Sequence, residues 1–484
     1  GSSGDLSYNL SAQMRPGVSP VDVVDVITTA GGGRLRVIEE SRRQDQVQYE
    51  TRGSLTYNWP SGKTMSFNGF LQHFPLDNED TTISFLDPGD APLVNTGTVI
   101  DRIKGEDTTW EIGGDYAQSF GTSVKFTGLF VYSNGSVDRD NGFFRKTSND
   151  LSQVGGDTKI QETTEKIIRG TFDWNISRSH DLEIGAEGAT NILDKNLDFF
   201  SLLGGVRIDT PVLNSDQRIT EDRVEIFSTH SWQPLGGMEI ESGLAAESSW
   251  LDQVGSDVSS NRSLKFLKPS LDIWYNSDDS TQMWFSFRRD VGQLDFDDFV
   301  ATVNREDNEV LAGNPDLVPE KSWDFEVGIE RRLIGGAGLV NGRIFFRRVN
   351  DVKDLVPFSL TSSQPGNLGS GNHYGFEVES SIRFGRFTSV DAVLSGSILM
   401  QKSEVADPFT GVKRRFGNQP EYEYKLEARH DVKTQGLSYG FDLSKEGPTL
   451  ESDFNEFDSK STTLDARIFL EKGINDGTVM RFFW

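Results

Sequence analysis

Apolar and polar residues alternate with a period of two along most of the chain. In residues 55–59, 172–176 and 323–329 every second residue is apolar, and the residues between them are polar, charged or, at Gly328, glycine. Strict alternation places the two sets of side chains on opposite faces of a β-strand. The chain shows no convincing run with the i, i+3, i+4, i+7 spacing of an amphipathic helix, so we predict an all-β protein.

The connections between the predicted strands alternate between short and long. Short turns are predicted at residues 60–63, around Gly121, and at 178–181, 234–237, 276–280, 334–338, 385–386, 433–436 and 472–477. Long polar stretches are predicted at residues 77–104, 134–161, 191–215, 255–262, 291–321, 351–372, 402–420 and 446–460. This order is typical of a large antiparallel up-and-down transmembrane β-barrel, with short periplasmic turns and long extracellular loops.

Strand length and the positions of aromatic residues favour the same architecture. The predicted strands of about 10–16 residues exceed the roughly 5–6 residues of globular strands and suffice to cross a bilayer. Aromatic residues stand just before six of the short turns, where a periplasmic girdle is expected: Trp59, Phe120, Trp174, Trp232, Tyr275 and Phe384. A soluble propeller would show a repeat of about 40–50 residues, and sandwich strands would be shorter.

Composition excludes several classes of function. The chain has 74 acidic against 48 basic side chains, a net charge of −26, which disfavours nucleic-acid binding. It has no cysteine, which excludes disulfides, thiol nucleophiles and cysteine-ligated metal. It also lacks an apolar run of about 18 residues, but transmembrane β-strands produce no such run.

Candidate catalytic or metal-binding chemistry is sparse. The five histidines show no HExxH spacing, and His180 and His230 are predicted as turn and wall residues. Residues 138–142 (DRDNG) match the opening of a calcium loop without its final Glu, so a solvated acidic loop is favoured over calcium bridging. Residues 366–371 (GNLGSG) lack the lysine and helix of a phosphate loop and are predicted to be a flexible loop. No nucleophile–base set stands out, so we predict no catalytic residue, no metal site, no cofactor and no enzymatic activity.

The face opposite the apolar register carries many carboxylates, together with or close to the bases Arg331, Arg383, Arg429, Lys125 and Lys425. The predicted inward carboxylates are Glu111, Asp115, Asp173, Glu183, Glu187, Asp324, Glu326, Glu330, Glu377, Glu379, Glu421, Glu423, Glu427 and Asp442. Two interpretations remain open. These groups hydrate a wide interior or pair with a polar plug, or they favour cations and neutral solutes over anions.

Four segments resemble a known family in the order expected for it. Residues 312–330 (AGNPDLVPEKSWDFEVGIE) resemble the barrel of TonB-dependent outer-membrane receptors. Three further segments fit the same family: 347–356 (RRVNDVKDLV), 367–379 (NLGSGNHYGFEVE) and 416–431 (FGNQPEYEYKLEARHD). The prolines and Asn/Asp positions of 313–320 would by themselves fix a rigid loop entry, so we favour an architectural role for this motif.

The resemblance implies a function, partners and a location. It implies a ligand-gated receptor in the bacterial outer membrane that imports a scarce nutrient, such as a siderophore, vitamin or saccharide. The long loops would bind the ligand, whose identity and binding residues stay unknown. A TonB-type protein would supply energy through a plug domain, which is not recognisable within residues 1–484. A plugless passive porin or diffusion channel and a surface adhesin or scaffold remain alternatives.

The number of predicted strands bears on the domain boundaries. Nine short-turn hairpins and a first strand at residues 5–14 give about nineteen strands, whereas bacterial barrels have an even number and this family typically about 22. We therefore expect residues 1–484 to form one incomplete barrel domain. The plug and about three closing strands would lie outside this sequence, and Trp484 would end near the outer rim. A miscount of one strand within residues 21–49 is the alternative.

Overall fold

The computed structural model describes residues 1–28, 34–86, 93–147, 150–304, 309–359, 362–453, 457–459, 464–475 and 478–483. The described residues form antiparallel β-strands joined by turns and four short 3₁₀ helices. No helix in these ranges is both long and apolar enough to cross a membrane.

Nineteen long strands form the wall within the described ranges. Those of the first half are β2 (Leu6–Thr28), β3 (Arg34–Asn58), β4 (Thr64–Leu86), β5 (Val94–Phe120), β6 (Val124–Lys146), β7 (Leu151–Ser177), β8 (His180–Leu203), β10 (Asp216–Leu235), β11 (Met238–Gly255), β12 (Ser259–Asp278) and β13 (Thr281–Val291). Those of the second half are β16 (Lys321–Arg332), β17 (Gly338–Asn350), β20 (Ser370–Arg383), β21 (Ala392–Ala406), β23 (Tyr422–Val432), β24 (Leu437–Glu446), β27 (Asp465–Asn475) and β28 (Thr478–Phe483).

The remaining elements are short and belong to the connections or the N-terminus. They are β1 (Ser2–Ser3), β9 (Val206–Thr210), β14 (Thr302–Asn304), β15 (Glu309–Leu311), β18 (Lys353–Pro357), β19 (Ser363–Asn367), β22 (Lys413–Arg414), β25 (Glu451–Ser452), β26 (Phe457–Asp458), and the 3₁₀ helices η1 (Phe296–Phe299), η2 (Ile334–Gly336), η3 (Phe384–Arg386) and η4 (Lys433–Gln435). β1, β9 and β22 extend the wall sheet locally, which brings that sheet to 22 strands.

The wall is an up-and-down arrangement, as predicted. Each wall strand pairs antiparallel with the next one along the chain, from β2–β3 to β27–β28. In the described part of the chain, each predicted short turn separates two wall strands. The β10–β11 turn shows why such turns contain glycine: Gly237 has φ of 80°, a left-handed conformation that glycine adopts without strain.

The first and last strands of the wall do not test the predicted boundaries of the barrel domain. β28 starts at the short-turn rim and runs toward the opposite rim, as predicted. Among the described residues, no pairing joins β28 to β2, and Trp484 lies outside the described ranges. The expected plug and closing strands beyond this sequence stay a prediction.

The first-half strands are longer than predicted. β4 to β8 contain 23 to 27 residues each, so most of residues 77–104 and 134–161, predicted as loops, is paired strand. Of the ambiguous stretch 21–49, residues 21–28 and 34–49 likewise belong to the paired strands β2 and β3. Polar side chains on both faces do not prevent backbone pairing once a hairpin has left the bilayer, and polarity alone was therefore a poor sign of a loop.

One face of the wall is an apolar belt of limited height. On β5 the outward residues are apolar or aromatic for much of the stretch from Trp110 to Phe120, and they become Thr108, Glu106 and Lys104 above it. Ten residues span about 34 Å along a strand, or about 24 Å along the membrane normal at a tilt of about 45°. This height matches the roughly 25 Å apolar band of outer-membrane barrels.

Aromatic side chains border the belt at both rims. Five of the six predicted periplasmic aromatics are exposed, and Trp59 is half-buried. A second group lies on the outward face at the top of the belt: Tyr49 stacks on His73, and Trp110 stacks on Tyr132 with ring centroids 5.2 Å apart. The alternation of apolar and polar residues does not show how far along the membrane normal a strand residue lies. This upper girdle was therefore not predicted from the sequence.

Candidate functional site

The inward face carries a lattice of ion pairs. Glu187 accepts a hydrogen bond from Arg223 at 2.8 Å, and Arg343 bridges Glu326 and Glu377 at 2.7 and 2.6 Å. The strand register places all fourteen predicted inward carboxylates on this face or, for Glu421, at its edge beside β23. Many of these acids are thus compensated by bases on neighbouring strands, so the interior is less acidic than the carboxylates alone indicate.

The basic residues of this lattice include one of those first considered, Arg429, which pairs with Glu471 at 2.9 Å and with Asp431 at 3.0 Å. Arg331, predicted to share the inward side or to lie close to it, lies on the outward register beside Ile329, at the short-turn rim, where it pairs with Asp278 at 3.1 Å. Arg223, Lys268 and Arg343 compensate the inward acids. Their inward register was readable from the alternation, but their partners lie on other strands.

The described residues of the long connection between β13 and β16, 292–304 and 309–320, fold against the inward face of the wall. Phe299, Val300 and Leu317 form a buried apolar cluster with three inward wall residues: Leu193 on β8, Ile219 on β10 and Leu251 on β11. Inward apolar residues in an otherwise polar register must be covered to avoid water. Those three leucine and isoleucine positions were the sequence signal for an inward-folded loop, and sequence reasoning missed it.

Polar contacts anchor the same loop to the wall. Gln217 donates to the carbonyl oxygen of Phe299 at 2.6 Å, Arg262 donates to that of Leu317 at 3.1 Å, and Asn214 donates to that of Gly313 at 3.0 Å. The buried Lys195 ammonium pairs with Asp297 at 3.0 Å. The three loop carbonyls thereby gain hydrogen-bond donors, and the buried Lys195 ammonium gains an acceptor on the loop.

The motif at residues 313–320 connects this loop to its neighbour. A Cβ on Gly313 would lie 2.1 Å from the Phe299 carbonyl oxygen, so only glycine fits there. Asn314 accepts a hydrogen bond from the Asp316 amide at 2.9 Å and donates to the Pro365 carbonyl at 2.8 Å. These contacts are structural, in line with the architectural role predicted for the motif.

A buried charge cluster joins three other long connections at the same rim. Arg414 pairs with Asp407 at 2.8 Å and with Asp354 at 2.9 Å, and Ser452 donates to Asp407 at 2.7 Å. Burial alone would raise the pKa of Asp407, but hydrogen bonds from Ser452, Arg414 and Thr410 outweigh it and lower this pKa to about 2. The connections β17–β20, β21–β23 and β24–β27 are thereby held together.

A polar cavity of about 320 Å³ lies on the inward face of the first-half hairpins, away from these loops. Its lining residues are Asp25, Ile38, Glu40, Arg42, Gln46, Phe74, Leu76, Asn78, Asp80, Thr82, Asp101, Ile103 and Arg139. All belong to β2, β3, β4, β5 and β6, and it is a candidate ligand pocket by its size and its convergent polar groups.

The other motifs considered at first do not form sites. Residues 138–142, predicted as an acidic loop with possible calcium, lie in the extended strand β6, where successive side chains point to opposite faces and cannot surround one ion. Residues 366–371 belong to an ordered hairpin end, in which the Asn367 amide donates to the Val318 and Asp351 carbonyls at 2.9 Å. Within the described ranges, no group of three or more His, Cys, Asp or Glu side chains could hold a metal.

The histidines are wall or rim residues, with one pairing that spacing did not reveal. The β8–β10 register brings His180 and His230 together, with Nδ1 and Nε2 3.1 Å apart, and His180 stacks on Trp232. All three lie on the outward face in the periplasmic girdle. They are fifty residues apart in sequence and could be matched only once the strand order was known.

Comparison with known proteins identifies the family. A model described as "TonB dependent receptor-like, beta-barrel" matches residues 40–475. The chain belongs to this family. No curated protein matches it by sequence.

Solved structures show the same fold at low sequence identity. The ferric-catecholate import receptor Fiu from Escherichia coli K12 is 12% identical, with 97% of this chain and 75% of that chain covered and a TM-score of 0.63. The siderophore receptor PiuA from Acinetobacter baumannii is 11% identical, covering 99% of this chain and 77% of that chain, with a TM-score of 0.60. The copper transporter OprC is 11% identical, covering 99% and 74%, with a TM-score of 0.64. The protein is therefore an outer-membrane β-barrel of a family of transport receptors and not an enzyme.

Proposed function

We propose that this chain is the barrel of a ligand-gated receptor that imports a scarce nutrient across the outer membrane. Its family supports this function, and so does the arrangement of its long connections. The described residues of the β13–β16 connection fold inward against β8, β10 and β11. The β17–β20, β21–β23 and β24–β27 connections are joined through Arg414 and Asp407. Ordered loops at the mouth of a rigid barrel suit ligand recognition, whereas an unrestricted pore needs none of them.

The proposal includes an energy source and a class of ligand. A TonB-type protein would supply the energy through a plug domain. Small metal complexes are the first ligands to try, because Fiu is described as a ferric-catecholate import receptor and PiuA as a siderophore receptor. No specific observation favours the passive-channel or the adhesin alternative.

Growth of a deletion strain tests the proposed function. We would compare parent and deletion cells in media limited for iron, copper, cobalamin or a saccharide, each with TonB intact and with TonB removed. We expect a growth defect in one limited medium, and we expect removal of TonB to abolish the parent's advantage there. An advantage that persists without TonB would instead support a passive channel.

A further inference from the structure

Two histidines meet on the lipid-facing side of the wall, close to the short-turn rim. His180 is the first residue of β8, and Trp232 on β10 is its cross-strand partner. His230 precedes Trp232 by two residues on the same outward register. Aromatic girdles lie where a barrel wall meets the lipid headgroups. Because Trp232 belongs to the periplasmic girdle, the two imidazoles lie at the depth of the headgroups of the periplasmic leaflet.

The two imidazoles form a hydrogen bond with each other. Nδ1 of His180 lies 3.1 Å from Nε2 of His230, and the two ring planes differ by only 10°. One of these nitrogens carries the shared hydrogen and the other accepts it. This bond fixes the orientation of the His180 ring and leaves its Nε2 atom on the side away from His230. Within the described ranges, this Nε2 atom has no hydrogen-bond partner.

The protonation state of the pair decides what the Nε2 atom of His180 can bind. In the neutral pair this atom carries a hydrogen in only one of the two tautomeric arrangements. One added proton makes it a donor in every arrangement and gives the pair a positive charge. A phosphate diester is negatively charged and offers only acceptor oxygens, so it binds the protonated pair better than the neutral one. Histidine changes its charge between about pH 5 and 8, within the physiological range.

Arg178 supplies a permanent positive charge next to the pair. It lies in the turn between β7 and β8, two residues before His180, and its side chain is exposed. In the part of the chain that the structure describes, its guanidinium group forms neither an ion pair nor a hydrogen bond. Bases of the inward face, such as Arg223 and Arg343, are by contrast paired with carboxylates. An unpaired base at headgroup depth suits an anionic lipid.

The neighbours of the pair on the lipid-facing side carry no charge. They are Trp174 and Ile176 on β7, Leu182 and Ile184 on β8, Ser228 and Trp232 on β10, and Ile240 and Ser242 on β11. The acidic residues of the same strand segments belong to the inward register: Asp173, Asp181, Glu183, Glu239 and Glu241. Among the described residues, no carboxylate of these four strands therefore shares the outward face with the pair.

We propose that Arg178 and His180 bind the phosphate of a phospholipid of the periplasmic leaflet, and that the His180–His230 pair takes up one proton on binding. His180 donates through Nε2, Arg178 adds charge, and His230 acts as a positioning residue. The acyl chains lie along exposed apolar side chains of the belt, those of Trp174 and Ile184. A lipid is the occupant because this face of a transmembrane barrel contacts the bilayer. The site goes beyond the proposed function, since it does not involve the imported nutrient.

Native mass spectrometry of the whole purified chain, released from detergent micelles, tests the site. Phosphatidylglycerol is titrated at pH 6 and at pH 8, and a diacylglycerol with the same acyl chains serves as the probe without phosphate. We expect phosphatidylglycerol to bind about tenfold more tightly at pH 6 than at pH 8, as histidine protonation requires. Diacylglycerol should bind more weakly and equally at both pH values.

Three variants assign the effect to the proposed groups. His180→Phe should weaken binding about tenfold at pH 6, the usual scale for losing a hydrogen bond to a charged group, and should remove the pH dependence. Arg178→Gln should weaken binding at both pH values and leave the pH dependence intact. His180→Lys keeps a positive charge at pH 8, so binding there should rise to the parent's level at pH 6. A variant that merely damaged the fold would not gain affinity.

His430→Phe is the matched control. His430 is also an outward histidine at the short-turn rim, on β23, but its hydrogen-bond partner is Tyr439, at 2.8 Å. Its replacement should change neither the affinity for phosphatidylglycerol nor the pH dependence.

Several results would overturn the proposal. They are equal binding of phosphatidylglycerol at the two pH values, equal binding of diacylglycerol, equal effects of His180→Phe and His430→Phe, or no gain in His180→Lys at pH 8. Displacement of the lipid by an equal concentration of inorganic phosphate would indicate a site for free phosphate. Loss of binding on addition of EDTA would indicate a metal held by the two histidines. Either of these last two results would also contradict a lipid site.

Discussion

Single residues of the wall differ sharply in what they tolerate, because neighbours in sequence face lipid and lumen. Ile398 on β21 lies on the outward face and is 51% exposed, whereas Ser397 faces inward and opposite Glu379. We expect Ile398→Arg to reduce the free energy of unfolding by about 2–4 kcal/mol near the bilayer midplane, and Ser397→Arg to have little effect. Urea unfolding in lipid vesicles measures both, and equal costs would contradict the assigned register.

A second residue-scale prediction concerns acid. The pKa of Asp407 is lowered to about 2, below its ordinary value of 3.8, so its ionised form stabilises the fold by about 2 kcal/mol above pH 4. This contribution is lost as the pH falls from about 4 through 2. We expect hydrogen exchange of β22 and β25 to accelerate over that interval. Asp407→Asn should remove this pH dependence, and Asp257→Asn, in an exposed turn, should leave it intact.

The sequence predicted which face a residue occupies, but not which groups it contacts. Alternation correctly placed Glu326 inward and Phe325 outward. The partners of Glu326 are Trp284 and Arg343, which lie 42 and 17 residues away on adjacent strands. A period of two carries no information about the register between strands, so such pairs required the structure.

At the scale of elements, the inward-folded β13–β16 connection contains one close approach that only glycine allows, between Gly313 and the Phe299 carbonyl. Gly313→Ala would force a Cβ against the Phe299 carbonyl, so the loop should leave β8, β10 and β11 while the wall persists. Gly97→Ala is the matched control, since nothing lies within 4 Å of its added Cβ. Protease added to intact cells should cut the Gly313→Ala loop faster than the parent or control. Unchanged cleavage would mean that the loop does not depend on this contact.

Element boundaries were predictable where turns are tight and much less so where hairpins project. Each short turn coincides with a glycine-, proline- or polar-rich break between two strand segments with alternating apolar residues. The predicted positions of these turns were correct. The extensions of β4 to β8 are polar on both faces and resemble loops in composition. Their strand pairing depends on the partner hairpin, which a single-sequence pattern does not contain.

The whole molecule is asymmetric around the wall. The first half rises beyond the membrane as paired hairpins that enclose the polar cavity, and the second half ends in loops that fold inward or join one another. Both features lie on the long-connection side. Recognition in the outer medium therefore requires that this side face outward and that the short turns face the periplasm.

Cysteine labelling of intact cells tests this orientation most directly, because the chain contains no cysteine of its own. Single variants Asp257→Cys, in a long-side connection, and Asp279→Cys, in the β12–β13 turn, are treated with a maleimide carried on a bulky polyethylene glycol. We predict that Asp257→Cys is labelled on intact cells and that Asp279→Cys is labelled only after the outer membrane is permeabilised. Labelling of Asp279→Cys on intact cells, with Asp257→Cys protected, would contradict the account.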